Sequence, residues 1–484
     1  MRKGLAAVLV VFAGTGGASA GQAQEQPDLS REVAVAARVL ASEPMRAALD
    51  YVDRSRDETV GEWLRLCNTN GPSGAELYRS REIYRAFRIY GLERVHIDDV
   101  GNVIGVRPGV GDGPTVVLNA HHDNVALWPQ DQPQNAFVAD DRVWCPGAGD
   151  DLIGVTQLLT ILRAMNAGGV ETQGDVWFTS YVGEEGPSGP QHPDASRGAR
   201  HFVIANVPHN IDWRRGDIIV QLHGGGGEGV STGSSPARHR SQLRVFVPLD
   251  RSRWGPHAID ALGMLIDRLR ALRDPRVSNA GSSEQHPGLG ESDDLLYFNM
   301  PMVSASEIIN APAREVWIRF DLRSPTVARL WRAHEDIQAI ARDVLAELGE
   351  GFSFSYEINS RNGLGVDQDD PRYADWDKVD NAPARMVAAT AKALYGVEPE
   401  INPHSGCGDC VRGYREGMPT FSFQGNVADH LDGSFDIGGP QPLKSEVRRK
   451  TSGHDVTESA PIERLWAGIK HGLLFAITYT GEGR

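Results

Sequence analysis

Three short apolar runs stand out along the chain, TVVLN at 115–119, DVWFTSYVG at 175–183 and DIIVQLH at 217–223. Runs of this length and composition suit strands buried on both faces of a sheet. Ahead of them, 93–98 and 101–107 alternate apolar and polar positions as paired strands do. Helical spacing fills 32–66, 80–91 and 151–165. Helices alternating with buried strands predict an α/β fold, a three-layer sheet between helices. The texture changes after 223. A strand at 242–247, a helix at 257–272, an alternating strand at 315–323 and a long amphipathic helix at 326–348 predict a smaller α+β unit. That unit is expected as an insert at 237–349 in a larger domain made of 30–236 and 350–484. A helix at 381–395, a strand at 419–423 and a last helix at 460–479 complete the larger domain.

Composition adds limits. The chain has 484 residues and a net charge of -15, with a sequence pI near 5.5. An acidic balance argues against a nucleic-acid or anionic-membrane partner, which needs a basic face. Met1-Arg2-Lys3, an apolar run from Leu5 to Ala13 and Ala18-Ser19-Ala20 read as a signal peptide spanning 1–20, cleaved near Ala20. That reading expects a secreted or periplasmic protein without a membrane anchor after processing. Four cysteines occur, Cys67, Cys145, Cys407 and Cys410. In an exported chain they can pair, with connectivity left open, and Cys407-Gly-Asp-Cys410 reads as a local disulfide or as free thiols.

The chemistry gathers at the ends of the buried strands. His121-His122-Asp123 follows the first, Glu184-Glu185 the second, and His223 ends the third. Asp150-Asp151 sits in the glycine-flanked PGAGDDLIG at 146–154, and Gly453-His454 precedes the last helix. Ligands collect at the carboxyl ends of such strands. Each signal alone has an ordinary alternative: a surface His-Asp pair, a helix N-cap at Asp150, a solvated acidic turn, a buried histidine. Together, imidazoles and carboxylates in this order form the ligand set of a hydrolytic zinc site. Within it, one glutamate of the pair can bind metal while its neighbour serves as base.

That ordered set resembles the co-catalytic zinc hydrolases that include aminoacylase, glutamate carboxypeptidases, dipeptidases and peptidase T. Asn310-Ala-Pro, Phe320-Asp-Leu-Arg-Ser324 and Gly417-Met-Pro-Thr resemble further segments of that family. The first two belong to its inserted lid or dimerisation domain. The resemblance implies two zinc ions per subunit, held by His121, Asp150, Glu185, His223 and His454, with Asp150 bridging. It implies Glu184 as the base and Asp123 as the residue that orients His121. The family's GGHS segment is missing, and PLDRSRW stands in its place at 248–254. Arg251, Arg253 and His257 are the side chains near that point.

The resulting expectation is an exported zinc-dependent exopeptidase or di/tripeptidase acting on short peptides. Arg323 or Asn310 either holds the substrate carboxylate or serves the structure, since an arginine at a strand end often pairs with an acid. Its alternatives are an N-acyl or N-carbamoyl amino-acid amidohydrolase and a non-catalytic, zinc-retaining binding protein. The insert leaves a homodimer open.

Overall fold

The computed structural model describes residues 28–125, 135–186, 196–214, 216–223, 230–231, 237–247, 256–273, 295–304, 313–324, 326–362, 382–396, 401–402, 409, 412–413, 418–424 and 458–483. His454, Asn310, Cys407, Cys410, the leader and the segment replacing GGHS lie outside the described residues.

The strands in chain order are β1 (Glu93–Ile97), β2 (Val103–Arg107), β3 (Val116–His121), β4 (Phe137–Ala139), β5 (Arg142–Trp144), β6 (Val176–Tyr181), β7 (Ile218–His223), β8 (Val230–Ser231), β9 (Ala237–Phe246), β10 (Tyr297–Ser304), β11 (Glu315–Ser324), β12 (Ser353–Asn362), β13 (Ile401–Asn402), β14 (Thr420–Gln424) and β15 (Ser459–Pro461). Eight of them form one sheet in the order β1-β2-β6-β3-β7-β14-β8-β13. β6, β3, β7 and β14 run parallel, with Val116 opposite both Val176 and Ile218.

Period-two alternation explains the layers. Val116, Leu118 and Ala120 face a core shared with the helices Ile153–Ala167 and Ile462–Thr480. Val117, Trp177 and Ile219 face the opposite core, closed by Ala199, Phe202, Val203 and Val207. A sheet coated on both faces needs apolar residues at successive positions, which is why these strands read as continuous runs. A disulfide joins Cys67, at the end of helix Arg56–Asn68, to Cys145 just after β5, with Cα atoms 6.0 Å apart.

β9 to β12 form a separate four-stranded antiparallel sheet in the order β10-β11-β9-β12. Leu243, Val245, Val316, Ile318 and Phe320 pack from it against the helices Ala258–Leu269 and Val327–Leu348. This sheet runs past position 349, the boundary expected from the sequence. Ser353–Asn362 pairs with β9 along its length, so the fourth strand lies beyond the long helix.

Candidate active site

Three neighbouring parallel strands end side by side, β6, β3 and β7, and each carries a functional side chain to the same edge. β3 ends at His121, paired in register with Tyr181 of β6, and β7 ends at His223. The loop after β5 brings Asp150. Backbone angles at Asp150 (φ -126°, ψ 86°) and Asp151 (φ -136°, ψ 36°) are not helical. The following helix therefore begins at Ile153, two residues later than its spacing predicts, and neither aspartate serves it as an N-cap.

One carboxylate oxygen is shared by two imidazoles. Asp150 Oδ1 lies 2.9 Å from His121 Nε2 and 3.1 Å from His223 Nε2. His121, Asp150 and His223 each place a ligand atom within 4.8 Å of the others, and so do His121, Glu184 and Glu185. Burial by itself would push both histidines down. The carboxylates of Asp123 and Asp150 outweigh it at His121, which is raised well above the usual imidazole range. At His223, Asp150 and Asp151 raise it to about 9. The pocket thus stabilises positive charge, which is what a divalent cation would supply. Imidazole nitrogen and carboxylate oxygen are also the donors that zinc takes. The residues present fit such an ion.

Asp123 is the hub. Its Oδ1 lies 3.3 Å from His121 Nδ1 and accepts the Glu184 amide at 3.0 Å. Its Oδ2 accepts the Glu185 amide at 3.1 Å and the Ser73 hydroxyl at 2.6 Å. Burial raises this carboxyl, but His121, Ser73 and the Glu184 amide together lower it to about 2. It stays ionised, and it aligns a histidine on one strand end with a glutamate pair on the next.

Behind this edge, Arg79 is fully buried. It donates to the carbonyl oxygens of His122 (2.5 Å), Thr69 (3.0 Å) and Gly71 (3.2 Å) and to Asn124 Oδ1 (2.9 Å). It fixes the backbone that carries His121 and Asp123.

Residues 117–435 match the model of Peptidase family M20/M25/M40. This chain belongs to that family. Among curated relatives, a Pyrococcus furiosus protein described as a LysW-lysine/LysW-ornithine hydrolase is 28% identical over 179 residues, 37% of this chain and 45% of that protein. The cysteinylglycine-S-conjugate dipeptidase of Corynebacterium striatum is 30% identical over 181 residues, 35% of this chain and 37% of that protein. The chain thus spans less than half the length of these curated relatives. The solved structure of the di-peptidase Dug1p from Saccharomyces cerevisiae aligns with 91% of this chain and 99% of its own, with a TM-score of 0.64 at 11% identity. It shares the fold.

Within this M20 fold, the second sheet reaches the site through arginines. Arg240 of β9 donates to the carbonyl of Glu185 at 3.2 Å. Beside it, Arg238 binds Asp321 through two nitrogens at 2.9 and 3.2 Å. Arg323, for which the sequence left open a substrate carboxylate or a structural acid as partner, lies in this cluster. It donates to Asp321 at 2.9 Å and covers the ring of Tyr297. Two guanidinium groups therefore share one carboxylate, and Arg240 adds its charge from beside them. Burial raises Asp321, but Arg238, Arg323 and Arg240 together hold it well below the usual range. His257 stands at the start of helix Ala258–Leu269, where its amide is bonded by Asp260.

Ser73, Arg79, Arg238 and Arg240 are participants that sequence reasoning missed. None sits in a motif or at an apolar strand end, so no local signal marks them.

Proposed function

We propose that this chain is an exported, two-zinc hydrolase that cleaves amide bonds in short peptides, as an exopeptidase or a di/tripeptidase. The observation that carries the reading is Asp150 Oδ1 held between His121 and His223, beside the Glu184-Glu185 pair. His121, Asp150 and His223 would hold one ion; Asp150, Glu185 and His454 would hold the second. Bound zinc supplies Lewis acidity, which polarises a carbonyl and lowers the pKa of water. Glu184 takes the proton of the attacking water and passes it to the leaving amine. Asp123 keeps the His121 ring and the Glu184 backbone in one fixed relation. Arg238, Arg240 and Arg323, facing Asp321 and the Glu184-Glu185 pair, would take up the carboxylate of a peptide or amino acid. Export is supported by the leader-like start and by the Cys67–Cys145 disulfide, which suits an oxidising compartment.

A histidine at position 223, where acidic ligands are common in the resembled family, favours a second reading as an N-acyl or N-carbamoyl amino-acid amidohydrolase. One screen separates the two. Zinc-loaded protein is incubated with di- and tripeptides and with N-acyl and N-carbamoyl amino acids, and the products are identified. Release of free amino acids from peptides is expected; turnover of the acylated compounds alone overturns the peptidase reading. Glu184→Gln should lower kcat by about 10²–10⁴-fold with unchanged zinc content. Wild-type turnover in that variant would remove Glu184 from the mechanism.

A further inference from the structure

Glu458 lies just ahead of β15, far along the chain from the loop it touches, and is 3% exposed. Its Oε2 accepts the Gly147 amide at 2.9 Å, and its Oε1 accepts those of Gly149 at 2.8 Å and Asp150 at 3.0 Å. One buried carboxylate thus binds three amides of a single loop. That loop has little regular scaffolding of its own. Gly147 has φ +79°, and Asp150 and Asp151 leave helical geometry. Within the loop's immediate neighbourhood, Ala148 bonds back to Cys145, and Leu152 bonds to Gly147. Between those two bonds, the amides of Gly149 and Asp150 both end on Glu458.

We propose that Glu458 is a positioning residue that fixes the backbone of the Gly147–Asp150 loop and so aims the Asp150 carboxylate between His121 and His223. The inference rests on the metal-site reading above. Burial and the Asp150 carboxylate push Glu458 up to about 7. Three amide donors on its two oxygens favour the ionised form, which accepts at both and binds amides more strongly than a neutral acceptor. A glutamine keeps the shape but accepts at one oxygen only. Its NH₂ group would face an amide donor, so the loop would lose at least one anchor. An alanine leaves all three amides without this acceptor.

The test uses three readouts on the full chain. In the metal-free wild type, the amides of Gly147, Gly149 and Asp150 should exchange as slowly as those of helix Ile153–Ala167; fast exchange there overturns the inference whatever the variants do. In E458Q, those amides should exchange faster, and zinc affinity should fall by about 10–100-fold, as for other residues that orient a metal ligand. The cobalt-loaded variant should also show a shifted visible absorption band at saturating metal, which a general loss of stability would not produce. A folded E458Q with wild-type zinc Kd and cobalt spectrum overturns the proposal. E458D, shorter but charged, should fall between wild type and E458Q in zinc affinity; a Kd weaker than that of E458Q counts against the role of charge. Absence of zinc binding in the wild type overturns the metal-site reading and the aiming role with it. The exchange measurements need no metal and separate that failure from failure of the loop anchor.

Discussion

Asp123 shows how much one side chain can coordinate at the residue scale. Its two oxygens face His121, the amides of Glu184 and Glu185, and the Ser73 hydroxyl. Asp123→Asn keeps the volume but turns one acceptor into a donor. Placed at Oδ2, the NH₂ group faces the Glu185 amide; placed at Oδ1, it faces that of Glu184. Either way a donor meets a donor, and a buried polar group loses its partner. Zinc affinity should fall by about 10–100-fold and kcat should fall with it, measured by metal titration and steady-state kinetics. Wild-type values for both would show that the hub is dispensable. Sequence spacing flagged Asp123 because an acid two residues after a histidine can hold its ring. Its bonds to the glutamate pair could not be read that way, since they join residues on different strands. Ser73 carries no signal at all, because a lone serine is ordinary anywhere in a chain.

At the scale of elements, the strands were legible and the turns between them only partly so. β3, β6 and β7 announce themselves because a sheet buried on both faces needs unbroken apolar runs. The turn after β6 depends on Gly186, with φ +104°, where an added Cβ would lie 1.6 Å from Arg240 Nη1. Gly186→Ala should therefore cost roughly 1–3 kcal/mol from backbone strain alone, with a further loss from displacing Arg240. Chemical denaturation should show a smaller cost in an R240A background, where the steric part is gone and the strain remains. Equal costs in both backgrounds would mean that Arg240 moves aside freely. The late start of helix Ile153–Ala167 has a related origin. Asp150 and Asp151 are drawn out of helical geometry toward the site, a tertiary demand that overrides local spacing. β12 escaped notice because β9, its partner, lies more than a hundred residues earlier and decides its place in the sheet.

For the whole molecule, the last helix ties the end of the chain to the core. His471 on that helix is 1% exposed, with Nε2 2.9 Å from the Val387 carbonyl and 3.1 Å from Thr390 Oγ1 on helix Ala382–Tyr395. Burial pushes it down to about 4. An unfolded histidine takes up its proton near pH 6.5, whereas this one stays neutral until about pH 4. Between those values the unfolded chain binds more protons, so stability falls as pH falls. The slope from this residue approaches about 1.4 kcal/mol per pH unit. His471→Gln retains a donor for Val387 and removes the titration. Its stability should decline less steeply from pH 6.5 to 4.5 by up to one proton's worth, as read by denaturant unfolding. An unchanged slope would refute the assignment.

The order of histidines and acids along the chain by itself singled out His121, Asp123, Asp150, Glu184, Glu185 and His223, which the fold brings to one sheet edge. His121, Glu184-Glu185 and His223 were legible because they follow strands whose apolar pattern marks where those strands lie, whereas Asp150 comes from a loop. The α/β class follows from the same pattern. What only the tertiary structure decided is how these groups are held. Asp123 spans two strand ends, Arg240 crosses from the second sheet to Glu185, and Glu458 reaches back some three hundred residues to the Asp150 loop. Hydrophobic periodicity is local and survives in the sequence. Hydrogen bonds between distant segments leave no periodic trace, so the supports of the site appear only once the chain has folded.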